Sequence, residues 1–236
     1  MKIARISLVA VALCGALLIP QLATAQEKVP DVTDNFIPGG GGMAIHDDAY
    51  DGTLASMACM TTAVGAGTVT GVDVDLAVDH NWIGDLTVKV ASPTGTVVTL
   101  MSRPGFDEGV DDGSGCCGDS SIMINTSAIN YMDGGTFDPE LMGGAIDGAQ
   151  FVCQDDGECS FFPNPDSGPG VALADFNGEA AEGDWQVCVG DSAAGDAGEL
   201  FSATANVAVA VPTVGQIGLL LLLILLASGS IFVLRR

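Results

Sequence analysis

Apolar and polar residues alternate along the stretch from Val72 to Asp79. Val72, Val74, Leu76 and Val78 fall on one side, and Asp73, Asp75, Ala77 and Asp79 on the other. That period of two marks a strand with one face buried and the other in water. A short acidic segment, Gly84-Asp85, precedes a second alternation in which Leu86, Val88 and Val90 oppose Thr87 and Lys89. Pro93, Thr94 and Gly95 supply the fixed φ and the positive φ that a reversal needs, and Val97, Val98 and Leu100 open a third strand. The unit predicts a β-meander. Further along, Trp185 alternates with Val187 and Val189 as in a core strand, where its buried indole N–H needs one acceptor. Short strands at regular spacing, broken by Gly, Pro and Asp turns, favour one all-β sandwich, and no internal repeat is present.

Both ends of the chain carry a different pattern. Lys2 and Arg5 precede an apolar run from Ile6 to Ile19, and Ala23-Thr24-Ala25 fits a small-x-small cleavage site. Residues 1–25 therefore read as a secretory signal peptide cut after Ala25. Cys14 leaves with it, because bulky Leu13 before it and the apolar run beyond it argue against a lipidated cysteine. At the other end, Gly215 to Leu234 has no charge, and a helix rising about 1.5 Å per residue would cross a hydrocarbon core of about 30 Å over that length. Arg235 and Arg236 stop it on the cytoplasmic side, leaving residues 26–211 outside. Residues 26–42 read as a Gly-rich linker and 43–210 as the folded domain.

Charge narrows the partners. Four of the 7 Lys and Arg lie in the two terminal segments, so the exported part keeps Lys28, Lys89 and Arg103 against all 30 acidic residues, a formal charge of −27. Such a surface repels phosphate backbones and anionic lipid, which excludes nucleic acid, and favours cations. Roughly 185 exported residues suffice for one sizeable core.

Six cysteines remain outside: Cys59, Cys116, Cys117, Cys153, Cys159 and Cys188. An even number in an exported chain makes disulfides the default, with fifteen possible connectivities. Cys59 is early and Cys188 late, so position pairs them with each other, and pairs adjacent Cys116 and Cys117 with Cys153 and Cys159. No metal-ligand spacing such as C-x-x-C is present. Catalytic motifs are missing as well: there is no G-x-S-x-G and no H-E-x-x-H, and the two histidines are His46, beside Asp47 and Asp48 in an opening loop, and His80.

The meander carries a more specific signature. His80, Trp82, Gly84-Asp85-Leu86 and Ser92-Pro93-Thr94-Gly95-Thr96, followed by the run to Leu100, resemble the P domain, or homo B domain, that follows the catalytic domain of subtilisin-like proprotein convertases. A second block resembles that family's closing pattern: Phe176-Asn177-Gly178-Glu179, Gly183-Asp184-Trp185-Gln186-Val187, Asp191 and Gly198-Glu199-Leu200. The resemblance implies a jelly-roll-like β-sandwich in which residues of about 104–170 form a long acidic, cysteine-containing insertion. It implies packing and turn-fixing for His80 against Trp82 and Asp85. A carboxylate in the place of Asp85 is expected to accept successive backbone N–H groups and lock the reversal. Calcium is implied too, with Asp107, Asp111 and Asp112, or Asp191 and Asp196, as candidate ligands among acidic loops that also include Glu108, Asp119, Asp155, Asp156 and Glu158; the alternative for each loop is plain solvation. Val211-Pro212-Thr213-Val214, the apolar span and the Arg pair resemble the IPTL-type C-terminal sorting signals of Gram-negative bacteria, which a sorting peptidase recognises; a plain single-span anchor is the alternative.

Two functions follow. In one, an exported, membrane-anchored, non-catalytic module binds or stabilises a protein or matrix partner at the bacterial envelope, either on the periplasmic face of the cytoplasmic membrane or at the cell surface. In the other, it serves a subtilisin-like serine endopeptidase in trans.

Overall fold

The computed structural model describes residues 41–115, 117–144 and 150–210. The expected signal peptide with Ala25, the sorting motif from Val211 to Val214, the span 215–234 with Arg235 and Arg236, and Cys116 lie outside those residues. Among the described residues no helix is long and apolar enough to cross a membrane.

Among the described residues, nine strands form two sheets. They are β1 (Met43–Ile45), β2 (Ala58–Val64), β3 (Thr68–His80), β4 (Leu86–Ala91), β5 (Val97–Ser102), β6 (Ile129–Tyr131), β7 (Ser160–Phe161), β8 (Gly183–Asp191) and β9 (Gly198–Ala210). One sheet runs in the order β1-β9-β3-β6-β7 and the other β2-β8-β4-β5. Neighbours are antiparallel except for the short parallel pair β6 and β7. The alternating residues Val72, Val74, Leu76 and Val78 of β3 enter a core shared with Val88, Val90, Leu100, Val187, Val189 and Leu200. Trp185 fills its middle with no exposure, its indole N–H donates to the Ala181 carbonyl at 2.9 Å, and Phe176 meets it edge-on at 5.0 Å.

The second strand of the meander departs from simple alternation. All six residues of β4 are buried, including Thr87 and Lys89. β4 lies inside its sheet, between β8 and β5, and its outer face is roofed by a loop that Lys89 itself holds in place. Lys89 Nζ pairs with Asp111 Oδ2 at 2.6 Å, donates to the Gly52 carbonyl at 3.1 Å and stands 5.1 Å from the centre of the Tyr50 ring. The Tyr50 hydroxyl donates to the other oxygen of Asp111. Burial pushes that phenol far above its usual value, with Asp111 adding to the effect, so it stays a donor.

The described residues of the segment 104–170 are built into both the sheet and the core. The segment supplies β6 and β7 to the larger sheet, and Met123, Ile129, Tyr131, Met142, Val152 and Phe161 join the common core. Its first turn is organised by Arg103, fully buried at the end of β5 with φ +53. The Arg103 guanidinium donates to the carbonyls of Ser114 and Gly115 at 2.7 and 2.9 Å, lies 3.6 Å from Glu108 and covers the Phe106 ring. Cys59 and Cys188 are directly opposed on β2 and β8 and are disulfide-bonded. Cys153 and Cys159 are joined to each other, with Cα atoms 4.7 Å apart, which corrects the expected bonds to the adjacent cysteines. The turn between them closes locally and leaves neither free to reach farther; Cys117 is also disulfide-bonded.

Removing one member of a buried ion pair strands the other, at a cost of about 3–5 kcal/mol. Lys89→Ala is therefore expected to lower unfolding stability by about that amount in urea titration, and Lys89→Met combined with Asp111→Leu to recover most of it. A loss of less than about 1 kcal/mol for Lys89→Ala would show that the roof over β4 stands without it.

Candidate functional site

The two sequence blocks meet at one corner. His80 ends β3 with its side chain fully enclosed, and its Nε2 lies 3.0 Å from Asp191 Oδ2 at the end of β8. Its Nδ1 accepts the Trp82 backbone N–H at 3.1 Å. A nitrogen that accepts carries no proton, so Nε2 is the protonated one and donates to Asp191. Asp191 also accepts the Ala193 N–H at 3.1 Å. Both ring nitrogens are thus committed, and His80 has no lone pair with which to deprotonate a nucleophile. Gly198 lies under the ring, where an added Cβ would sit 2.4 Å from His80 Cδ2.

Between His80 and β4, residues Ile83–Asp85 make one 3-10 turn. Main-chain bonds hold it: Ile83 and Gly84 donate to the Ser121 and Asp119 carbonyls, and Ser192 donates to the Asp85 carbonyl. Gly84 approaches the Gly118 backbone so closely that a Cβ would fall 2.3 Å from it. Asp85, expected to lock the reversal, is buried, and its Oδ1 has no hydrogen-bond partner among the described residues, while the nearby backbone N–H groups of Ile83, Gly84 and Ser192 donate to carbonyls.

The blocks meet again at the far tip of the β4–β5 hairpin. Gly95 takes φ +96 in the turn, and the hydroxyls of Thr94 and Thr96 donate to the Glu179 carboxylate, which follows Gly178 at φ +91. Burial alone would raise Glu179, but the hydrogen bonds from Thr94, Thr96 and Ser92 outweigh it and hold the carboxyl below its usual value. Pro93 packs against Gly183, the first residue of β8.

The candidate calcium ligands are dispersed. Asp111 serves Lys89 and Tyr50, Asp112 accepts the Ser114 N–H, and Asp191 is enclosed with His80. Asp107 is exposed, Asp196 sits half-buried in the β8–β9 loop, and Asp155 and Asp156 accept bonds from Phe151, Gln150 and Glu158 within their own turn. His46 is exposed just after β1, and neighbouring Asp47 accepts the Gly195 N–H. Among the described residues no three His, Cys, Asp or Glu side chains are grouped to hold a metal.

Two carboxyls carry unfavourable surroundings. Burial, then the charge of Asp191, pushes Asp85 up to about 6. Burial, then Asp166, Asp138, Asp107 and Glu108, pushes Glu140 up to about 8, and its Oε1 has no partner among the described residues. Sequence reasoning passed over Glu140, counted Glu108 only among the acidic loops, and gave Lys89 and Arg103 no place in the interior. The available signal was the rarity of cations: a lysine between two core valines, and an arginine closing a strand, in a chain with so few positive charges.

Comparison with known families bears on the same region. Residues 69–114 match the proprotein convertase P-domain family. The P-domain match takes in nearly all of β3, the 3-10 turn, β4, β5 and the loop carrying Glu108 and Asp111. No curated protein matches the chain. Among solved structures, it is similar to a serine protease of Aeromonas sobria, at 21% identity and TM-score 0.39, over 71% of this chain and 25% of that one. It is also similar to the Aeromonas sobria serine protease in complex with its chaperone, at 20% identity and TM-score 0.38, over 71% and 24%. The chain spans about a quarter of the length of those proteases.

A carboxyl whose folded-state value is raised keeps its proton longer in the folded chain, so stability falls as pH climbs from the unfolded to the folded value and is level beyond. For Asp85 that window runs from 3.8 to about 6, and for Glu140 from 4.5 to about 8. Asp85→Asn and Glu140→Gln are expected to leave the melting temperature unchanged at pH 4 and to raise it at pH 8. Equal melting at both pH values would refute the crowding at these two carboxyls.

Proposed function

We propose that this chain is an exported, membrane-anchored, non-catalytic P-domain module that binds or stabilises a protein partner at the envelope of a Gram-negative bacterium. The observation that carries the reading is the P-domain match at residues 69–114, which falls on the meander and its His80 corner. The engagement of both His80 nitrogens supports a holding role over a cutting one. Export, anchoring by residues 215–234 and recognition of Val211–Val214 by a sorting peptidase enter the proposal from the terminal patterns. A second reading, service to a subtilisin-like serine endopeptidase in trans, is favoured by the same match, since the matched domain is that of the proprotein convertases.

Calcium enters the proposal at the acidic loops, with Asp107, Asp111, Asp112, Asp191 and Asp196 as the candidate ligands; these stand apart among the described residues, so a cation would have to draw loops together to complete its oxygen shell. Chelation is then expected to lower the melting temperature by a few degrees, and an unchanged transition removes the metal from the account.

Affinity capture of the tagged full chain from envelope extract tests the two readings. Recovery of a non-protease envelope protein, or of further copies of this chain, supports the first. Recovery of a subtilisin-like protease that loses activity or stability when this protein is deleted replaces it with the second.

A further inference from the structure

β3 and β9 place Asp79 directly opposite Glu199, flanked by the inward-facing Val78 and Leu200. Like charges in a directly opposed cross-strand pair destabilise a sheet unless something neutralises them. Only one of the two is provided for. Asp79 accepts the Asn125 backbone N–H at 2.5 Å on one oxygen and the Asn125 side-chain amide at 2.8 Å on the other. Glu199 is 2% exposed, and its Oε1 has no hydrogen-bond partner among the described residues. A carboxylate so enclosed and unpaired is costly, which makes its surroundings informative.

Those surroundings are a cleft of about 560 Å³, lined by both carboxylates and by Ile122, Ile124, Phe151 and Phe201. No cation of the described residues is spare to fill it: Lys89 is paired with Asp111, and Arg103 is held by carbonyls beside Glu108. A hard metal ion fits poorly, because it wants six to eight oxygens, Asp79 has spent both of its own, and much of the remaining wall is the apolar Ile122, Ile124, Phe151 and Phe201. A cationic head on an aliphatic stem fits each part. The stem would pack on the isoleucines, the two phenylalanines of the wall would add aromatic contact to the charge, and the head would give Glu199 the donors it lacks.

We propose that this cleft binds a basic side chain of a partner polypeptide, arginine first, because a planar guanidinium both stacks on aromatic rings and bonds a carboxylate through two N–H groups. The inference does not rest on the envelope-module reading.

Isothermal titration of the full chain with the peptide acetyl-Gly-Arg-Gly-amide, against the same peptide with neutral citrulline in place of arginine, tests it. The arginine peptide is expected to bind at least about tenfold more tightly, as loss of a charged hydrogen bond implies. Glu199→Gln should abolish that preference while melting no lower than the wild type, since it removes an unpaired charge. Phe151→Ala, at the rim with 36% exposure, should weaken the arginine peptide without changing the melting temperature, and it carries the comparison should Glu199→Gln fail to fold. Equal affinity for the two peptides, or an arginine preference that survives Glu199→Gln, overturns the proposal. So does a gain of about tenfold in peptide affinity on Lys28→Ala, which would assign the cleft to this chain's own N-terminal segment.

Discussion

Lys89 and Arg103 sit inside a polypeptide that is otherwise overwhelmingly acidic, and each is closed in by groups from the loops that precede β2 and follow β5. The interior placement has a physical logic. A charge out of water must be met by an opposite charge or by several hydrogen bonds, and acidic loops with free carbonyls are what this chain has in plenty. Around Lys89 the result is a lid of Tyr50, Gly52 and Asp111 that lets β4 be buried on both faces. Around Arg103 it is an ordered turn from Glu108 to Gly115, with Ser102 and Gly113 also bonded to Glu108. Loops that solvation alone would have left loose become walls of the sandwich.

The same economy of partners ties distant parts of the chain together. His80 and Asp191 are 111 residues apart, and Thr94 and Glu179 are 85 apart, yet these contacts fasten opposite ends of one meander to the turns flanking β8. β8 in turn is bonded to β2 through Cys59 and Cys188. The residues that define the P-domain resemblance are therefore largely those that close the sandwich at its two ends.

That division explains what could be read in the sequence and what could not. The alternation in β3, the hairpin at Pro93–Gly95 and the core position of Trp185 follow from local periodicity and turn chemistry, which neighbouring residues decide among themselves. The second burial face of β4 and the unpaired Oδ1 of Asp85 depend on which loop lies across which strand. Long-range packing decides those, and no spacing along the chain encodes it. Glu199 is the sharpest case: it belongs to a motif recognisable in sequence, yet its interest comes from Asp79 across the sheet and from Phe151 in a distant turn.

β9 runs without interruption from Gly198 to Ala210, paired with β3 for nearly its whole length. At about 3.3 Å per residue, its two ends stand roughly 40 Å apart. The Glu199 cleft and the point where the chain leaves the sheet at Ala210 therefore lie at opposite ends of one ribbon, so whatever occupies the cleft meets the domain at the end remote from Ala210.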